Sequence, residues 1–303
     1  MTERLSPLAS PYATREALES HGLSSKYWLG QNFLVNDDIV VKTVDLAELS
    51  PEDDVLEVGP GIGTLTIALL KRAGRVASVE RDPDLVPVLE ENLELWDERF
   101  TLVPKDALDL QPEDVPFAPN KLVSNLPYAV AATVVLNSFQ RFESIESITV
   151  MVQKEVADRM AAQPGTKDYG AYTVKLRLYA QVTGRFPVDP TNFYPRPRVD
   201  SAVVRLDRRP VCDDEDRPLD AQELMDVCTM ADAAFASRRK TIANSFKVYF
   251  AGRGEVGSLV VEQLPTLLEQ AGIDSRRRGE TLEIPEFIRL ARVYRGVIGG
   301  LDA

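Results

Sequence analysis

Val55-Leu56-Glu57-Val58-Gly59-Pro60-Gly61-Ile62-Gly63 is the stretch on which the fold turns. An apolar strand runs into a loop with three glycines, and helical spacing resumes at residues 64–72, ended by Gly74. Glycines at a strand-to-helix turn let the backbone approach a ligand closely, beside the amide groups of a helix N-terminus. The spacing is G-x-G-x-G rather than G-x-G-x-x-G. The next strand, 76–80, ends at Glu80, a position from which a carboxylate accepts hydrogen bonds from a ribose hydroxyl pair. Asp106, just after a third strand at 100–104, adds an acceptor for an adenine amino group. Taken alone, this set fits either a dinucleotide or S-adenosylmethionine.

Outward from that core, strands and helices alternate. A helix at 37–49 takes Asn36 or Asp37 as its N-cap. The helix at 83–95 carries Pro87 about one turn in, which predicts a distortion or a later start. Strands at 121–124 and 148–153 flank an apolar helix at 130–139. This is the pattern of a parallel, doubly wound α/β sheet. Residues 174–180 and 201–206 alternate in polarity and read as an antiparallel pair at the sheet edge. Residues 210–218 are acidic with a proline at each end, and helices are expected at 221–236, 240–250, 259–271 and 285–294. The expected organisation is an N-terminal extension (1–25) with a short helix near 14–18, an α/β domain (26–209), a linker (210–218) and a small all-helical domain (219–303).

Composition limits the chemistry. The 303 residues suffice for one large domain and a smaller one. No apolar run reaches membrane-spanning length and the N-terminus has no apolar signal region, so the cytoplasm is expected. Two cysteines, Cys212 and Cys228, make no disulfide framework. The only histidine, His21, allows neither a Cys/His zinc site nor histidine-based catalysis in the expected core, so no metal is expected. The net charge of −12 argues against indiscriminate binding to a polyanion, so nucleic-acid contact has to rest on local basic clusters.

The strand at 121–124 leads into Asn125-Leu126-Pro127-Tyr128. The exocyclic amine of adenine is a poor nucleophile, its lone pair being delocalised into the ring. Two acceptors facing it, the Asn125 side-chain oxygen and the Leu126 carbonyl, favour rehybridisation. Pro127 fixes the turn, and Tyr128 offers a face for a flipped-out base. A second aromatic comes from Asn192-Phe193-Tyr194-Pro195-Arg196-Pro197-Arg198, where Phe193 is the candidate and Arg196 and Arg198 stand beside the pocket. Arg238, Arg239 and Lys240, read as helical, are the other candidate phosphate contacts. Arg276, Arg277 and Arg278 are equally a solvated charged face. A glycine loop, Glu80, Asp106 and this tetrapeptide, in order, point to a nucleic-acid adenine-N6 methyltransferase. An NAD-dependent dehydrogenase leaves Asn125–Tyr128 unexplained, and nothing reads as a DNA sequence-reading module.

Six motifs in order make a more specific likeness. They are Gly30-Gln31-Asn32-Phe33-Leu34, the glycine loop, Asn125 through Tyr128, Gln153-Lys154-Glu155-Val156-Ala157, Phe193 through Ser201, and Phe235 through Thr241. The chain resembles the ribosomal small-subunit RNA adenine dimethyltransferases from about Lys26 to near its C-terminus. The resemblance implies a class I (Rossmann-like) S-adenosylmethionine-dependent domain followed by a small helical domain. It implies dimethylation of two adjacent adenosines in a loop near the 3′ end of small-subunit rRNA, with the small ribosomal subunit as partner; a monomer is expected. By motif position, Asn32, Leu34, Gly59, Gly61, Glu80, Asp106 and Asn125 contact the donor, while Asn125, Tyr128 and Phe193 hold the target adenine. Lys105, where the family often has a small residue, and Trp28 before Gly30 depart from the pattern. The rival readings are a large-subunit adenine dimethyltransferase of the macrolide-resistance type and a chiefly non-catalytic assembly checkpoint. The full helical domain with Arg238-Arg239-Lys240-Thr241 favours the small-subunit enzyme.

Overall fold

A computed structural model describes residues 4–26 and 30–299; Trp28 lies outside the described residues. The N-terminal part contains α1 (Pro11–Glu19), β1 (Phe33–Leu34) and α2 (Asp37–Ala47). The alternating core follows as β2 (Asp54–Val58), α3 (Thr64–Leu70), β3 (Arg75–Glu80), α4 (Val86–Leu93), β4 (Phe100–Pro104), β5 (Lys121–Asn125), α5 (Ala131–Arg141) and β6 (Ser147–Gln153). After α6 (Lys154–Ala161) and α7 (Ala171–Arg177), the chain returns through β7 (Ala180–Val188), β8 (Phe193–Tyr194) and β9 (Ser201–Arg208). Helices α8 (Ala221–Phe235), α9 (Ile242–Phe250), α10 (Gly254–Gln270) and α11 (Ile284–Ile298) complete it.

Seven strands form one sheet in the order β4-β3-β2-β5-β6-β9-β7. The pairs within β4-β3-β2-β5-β6 are parallel, and β9 runs antiparallel to β6 from Ser147↔Asp207 to Gln153↔Ser201. Winding moves outward from β2 through β3 to β4, then returns to β5 on the other side of β2. The C-terminal ends of β2 and β5 therefore flank a topological switch point, where open α/β sheets take their ligands. The glycine loop leaves one of these ends and Asn125 closes the other.

Central positions such as Val55, Leu56, Val76, Leu122 and Val150 are completely buried. A leucine buried in this way contributes about 2 kcal/mol relative to exposure. Pro87 falls in the first turn of α4, and a short 3-10 turn, Pro83–Leu85, takes the place of the earlier helical start. The proline lacks only an N–H that would have no partner there.

Three sequence expectations are corrected. Residues 171–177 are helical, and the edge strand begins only at Ala180. Val174 and Leu178 pack into a cluster with Val227, Phe246 and Phe287, so tertiary burial overrides local alternation. The N-terminal segment is packed rather than appended: Leu5, Ala9 and Leu18 are buried, and the Asp37 carboxylate accepts from the Leu5 and Ser6 N–H groups at 3.0 and 2.8 Å. Arg238, Arg239 and Lys240 lie in the turn between α8 and α9, because Thr241 caps α9.

The chain forms two compact units. One holds the residues up to Ala157 with Val182–Arg208, the other Asp158–Gln181 with the chain from Arg209 on. Residues 158–181, read from sequence as part of the α/β domain, thus group with the C-terminal helices. The acidic stretch before α8 is a closed turn. Asp213 accepts from the Arg217 and Glu215 N–H groups and pairs with Arg292 at 2.6 Å, which holds its carboxyl far below the ordinary range. No described helix is long and apolar enough to cross a membrane.

Candidate active site

Gly59, Gly61 and Gly63 adopt φ of 70°, 62° and 90°, the left-handed region that other residues rarely enter. Space is tight as well. A Cβ on Gly61 would stand 3.1 Å from the Phe33 ring, and one on Gly59 3.3 Å from Pro127. The loop thus packs against both the segment at 30–34 and the tetrapeptide after β5.

Beneath the loop, Glu57 is buried and its Oε2 accepts from Thr66 Oγ1 at 2.7 Å and Ser78 Oγ at 2.6 Å. Burial pushes its pKa up to about 7, against the opposing pull of those two hydroxyls. Glu80 is 8% exposed and accepts from the Asp82 N–H at 2.8 Å. Burial raises its pKa too, while the Asp82, Arg81 and Gly61 amides oppose the shift. These carboxylates are built into the sheet end rather than solvated. Asp106 is less enclosed: Oδ1 accepts from the Leu108 N–H at 3.0 Å and Oδ2 pairs with Arg81 at 3.0 Å. Each oxygen keeps a lone pair for an amino group. Lys105 turns to Asp114 at 2.5 Å and is thereby held by a partner of its own.

The segment 30–34 is latched across the loop by contacts that carry no sequence signature. Gln31 donates to Asp82 at 2.8 Å and accepts from the Lys26 N–H at 2.8 Å, while Lys26 Nζ bridges Asp82 at 2.6 Å and Asp84 at 2.5 Å. Only the Asp82-Pro83 pair, a helix-start signal, hints at this role. Beyond the latch, Leu34 is buried and pairs with Phe193 between β1 and β8.

On the target side, Asn125 Nδ2 donates to the Asn32 carbonyl at 3.1 Å. A carbonyl only accepts, so this bond assigns the amide orientation and leaves Oδ1 as the acceptor. The Leu126 N–H donates to the Met151 carbonyl at 3.1 Å, extending the strand pairing into the turn. Tyr128 is half-buried, its hydroxyl 2.7 Å from Ser201 Oγ, and burial raises its pKa. Phe193 departs from expectation. At 4% exposed it packs with Leu5, Leu34 and Val188, so its ring is enclosed by the core and does not form an open stacking face. The register opposite Leu34 turns it inward.

Among the basic residues, Arg196 and Arg198 are exposed on the loop after β8, and Arg239 and Lys240 are exposed in the turn before α9. Arg238 is committed elsewhere, its Nη2 donating to the Tyr169 carbonyl at 2.8 Å. Arg276 pairs with Asp274 and Arg277 with Glu286, so these two belong to local ion pairs. Among the described residues, no group of three or more His, Cys, Asp and Glu side chains is arranged to hold a metal ion.

The donor set suits a nucleoside with a cationic centre. The Glu80 carboxylate accepts from the Gly61 N–H of the glycine loop, and Thr64 Oγ1, in the first residue of α3, is buried without a partner. With an acceptor pair for an amine at the adjoining strand end, fold and site define a class I S-adenosylmethionine-dependent methyltransferase, its helical C-terminal part added to the α/β sheet. The ribosomal RNA adenine dimethylase profile matches residues 22–289, and the chain belongs to that family of RNA adenine methyltransferases. It is 38% identical over 297 residues to ribosomal RNA small subunit methyltransferase A of Geobacillus sp. (strain WCH70), covering 96% of this chain and 99% of that protein. It is 44% identical over 268 residues to the protein of the same name from Mycobacterium tuberculosis, covering 87% and 81%. Among solved structures, a dimethyladenosine transferase from Plasmodium falciparum shares the fold with TM-score 0.69 at 22% identity, over 85% of this chain and 95% of that one. The 23S rRNA methyltransferase ErmE superposes with TM-score 0.60 at 27% identity, over 86% and 99%.

Proposed function

We propose that this enzyme uses S-adenosylmethionine to dimethylate N6 of two adjacent adenosines in a loop near the 3′ end of small-subunit rRNA. It acts as a cytoplasmic monomer on the small ribosomal subunit during its biogenesis. The observation that carries this reading is the Asn125 amide, whose Nδ2 is held by the Asn32 carbonyl so that Oδ1 is left as its acceptor, at the switch point beside the glycine loop. That is an acceptor poised for an exocyclic amine, next to a donor cradle.

Bound S-adenosylmethionine supplies an electrophilic methyl group. Glu80 would accept from the ribose hydroxyls and Asp106 from the adenine amine, and Gly59, Gly61, Asn32, Leu34 and Asn125 would complete the residues that hold the donor. Asn125 Oδ1 and the Leu126 carbonyl accept from the target N6 and stabilise the positive charge that grows there as its lone pair is engaged. This is electrostatic preorganisation, needing no strong base. Pro127 keeps the turn rigid, and Tyr128, its hydroxyl anchored on Ser201, presents its ring to the base. Phe193 acts from inside the core by fixing the strand from which Arg196 and Arg198 emerge. Those two, with Arg239 and Lys240, are the phosphate contacts. Arg238 serves the helical unit, which makes up the ribosome-contacting domain.

The small-subunit reading is favoured over a large-subunit substrate because relatives named for the small subunit match at 38–44% identity, against 27% for ErmE. Labelled donor offered to small subunits lacking the modification, with large subunits in parallel, tests it. Label is expected as dimethyladenosine in small-subunit rRNA. Label confined to large subunits would transfer the reading to the other class, and subunit binding without any label would leave an assembly factor.

A further inference from the structure

A cavity of about 320 Å³ opens at the C-terminal edge of β6 and is lined by Gln153, Lys154, Glu155, Arg198, Val199 and Asp200. None of these has a part in the donor site. Two segments form the walls, joined at the base by the Lys154 N–H donating to the Asp200 carbonyl at 2.9 Å. The cavity's place relative to the target pocket follows from register. Asn125 pairs with Met151, and Gln153 lies two residues further along β6. With strand rise and spacing taken together, Gln153 stands about 8 Å from Asn125, toward the open edge. Gln153 pairs with Ser201, and Ser201 Oγ holds the Tyr128 hydroxyl at 2.7 Å. The cavity thus neighbours the expected seat of the flipped base through Ser201, which follows Asp200 and pairs with Gln153.

We infer that this cavity seats the nucleobase adjacent to the target adenosine and selects a purine that carries an exocyclic amine there; the inference rests on the RNA adenine methyltransferase reading above. Its size is at the lower end of small-molecule pockets, enough for one base. Gln153 carries a donor and an acceptor on one planar group, the combination that engages the N6 and N7 edge of adenine in a bidentate pair. The Asp200 carboxylate adds an acceptor for an amine and discourages a carbonyl-bearing edge. Val199, 43% exposed, offers an apolar surface to a base face. Arg198, exposed on the rim, is placed for the intervening phosphate. The strand would run from the Asn125 pocket past Ser201 into this cavity, so that the second base is recognised while the first is out of the stack.

The experiment pairs enzyme variants with substrate variants. Small subunits reconstituted with rRNA carrying either the natural neighbour or a pyrimidine in its place are offered to wild type, Gln153→Ala and Val199→Asp. Donor affinity and unfolding midpoints, measured alongside, report on the fold. On the pyrimidine substrate, wild type is expected to lose about tenfold in transfer efficiency at the retained adenosine, the scale of one lost bidentate base contact. Transfer is read site by site because the replaced neighbour is itself a methyl acceptor. Gln153→Ala is expected to lose a similar factor on the natural substrate, chiefly through KM, and little more on the pyrimidine one, with donor affinity unchanged. Val199→Asp is expected to raise KM for both. If wild type methylates the natural substrate but both variants remain as sensitive to the neighbour as wild type, the cavity assignment is overturned and the methyltransferase reading stands. If wild type transfers nothing to RNA, both are overturned together.

Discussion

The two halves of the site are built differently. The donor half is closed and cross-braced: Glu57 and Glu80 are buried under several hydrogen bonds, and Lys26, Gln31 and Asp82 tie the segment at 30–34 across the glycine loop. The target half is open. Asn125 and Tyr128 are each pinned by a single side-chain bond, and the arginines of the loop after β8 are exposed. The contrast implies a division of labour. On the proposed function, the chain preforms the donor half, and the RNA would complete the target half with its flipped base. Preorganising the half that binds a small, constant ligand, and leaving open the half that meets a large structured one, reduces ordering cost where specificity is not decided.

Substitutions that separate the halves test this. The largest effect is expected from Asn125→Ala, which removes an acceptor facing the growing charge: single-turnover methyl transfer falls about 10²–10³-fold. On the donor side, Glu57 links stability to pH. Its folded pKa of about 7 lies above the ordinary 4.5. The folded chain therefore holds a proton that the unfolded chain releases between those values. The resulting stability is complete below about pH 4.5 and is lost as pH rises through 7, by at most about 3 kcal/mol. Glu57→Gln is expected to flatten that part of the profile, read as denaturation midpoints at pH 5 and pH 8. Glu80→Ala removes charge-assisted bonds to the donor, and calorimetry is expected to show its affinity lowered about 10- to 100-fold. Lys26→Ala is the mildest: loosening the latch lowers donor affinity by about threefold, leaving kcat on saturated subunits unchanged.

Much of this was legible in the sequence. The glycine loop, Glu80, Asp106 and Asn125 are carried by strand ends, and strand ends are marked by apolar runs that stop at a recognisable polar residue. The helix at 171–177 was not, since Val174-Lys175-Leu176-Arg177-Leu178 alternates like a strand and only its neighbours decide its burial. The Lys26–Asp82–Gln31 latch was hidden because its partners lie 51 and 56 residues apart and form no local pattern. Phe193 was recognised as important, but its inward direction comes from pairing with Leu34, a register that composition does not reveal. Of the basic residues, all three at 238–240 are exposed, and Arg238 is set apart from Arg239 and Lys240 by its bond to the Tyr169 carbonyl, a partner 69 residues away that no local pattern reveals.

The most direct measurement is calorimetric binding of S-adenosylmethionine to the free chain without RNA, wild type beside Asn125→Ala. One site in each, with the variant's affinity lowered by no more than about tenfold for the donor contact that Asn125 gives up while its transfer to small subunits collapses, is the expected result for a preformed donor half. Donor binding that appears only when the subunit is present, or that vanishes with Asn125, would contradict the division between the two halves.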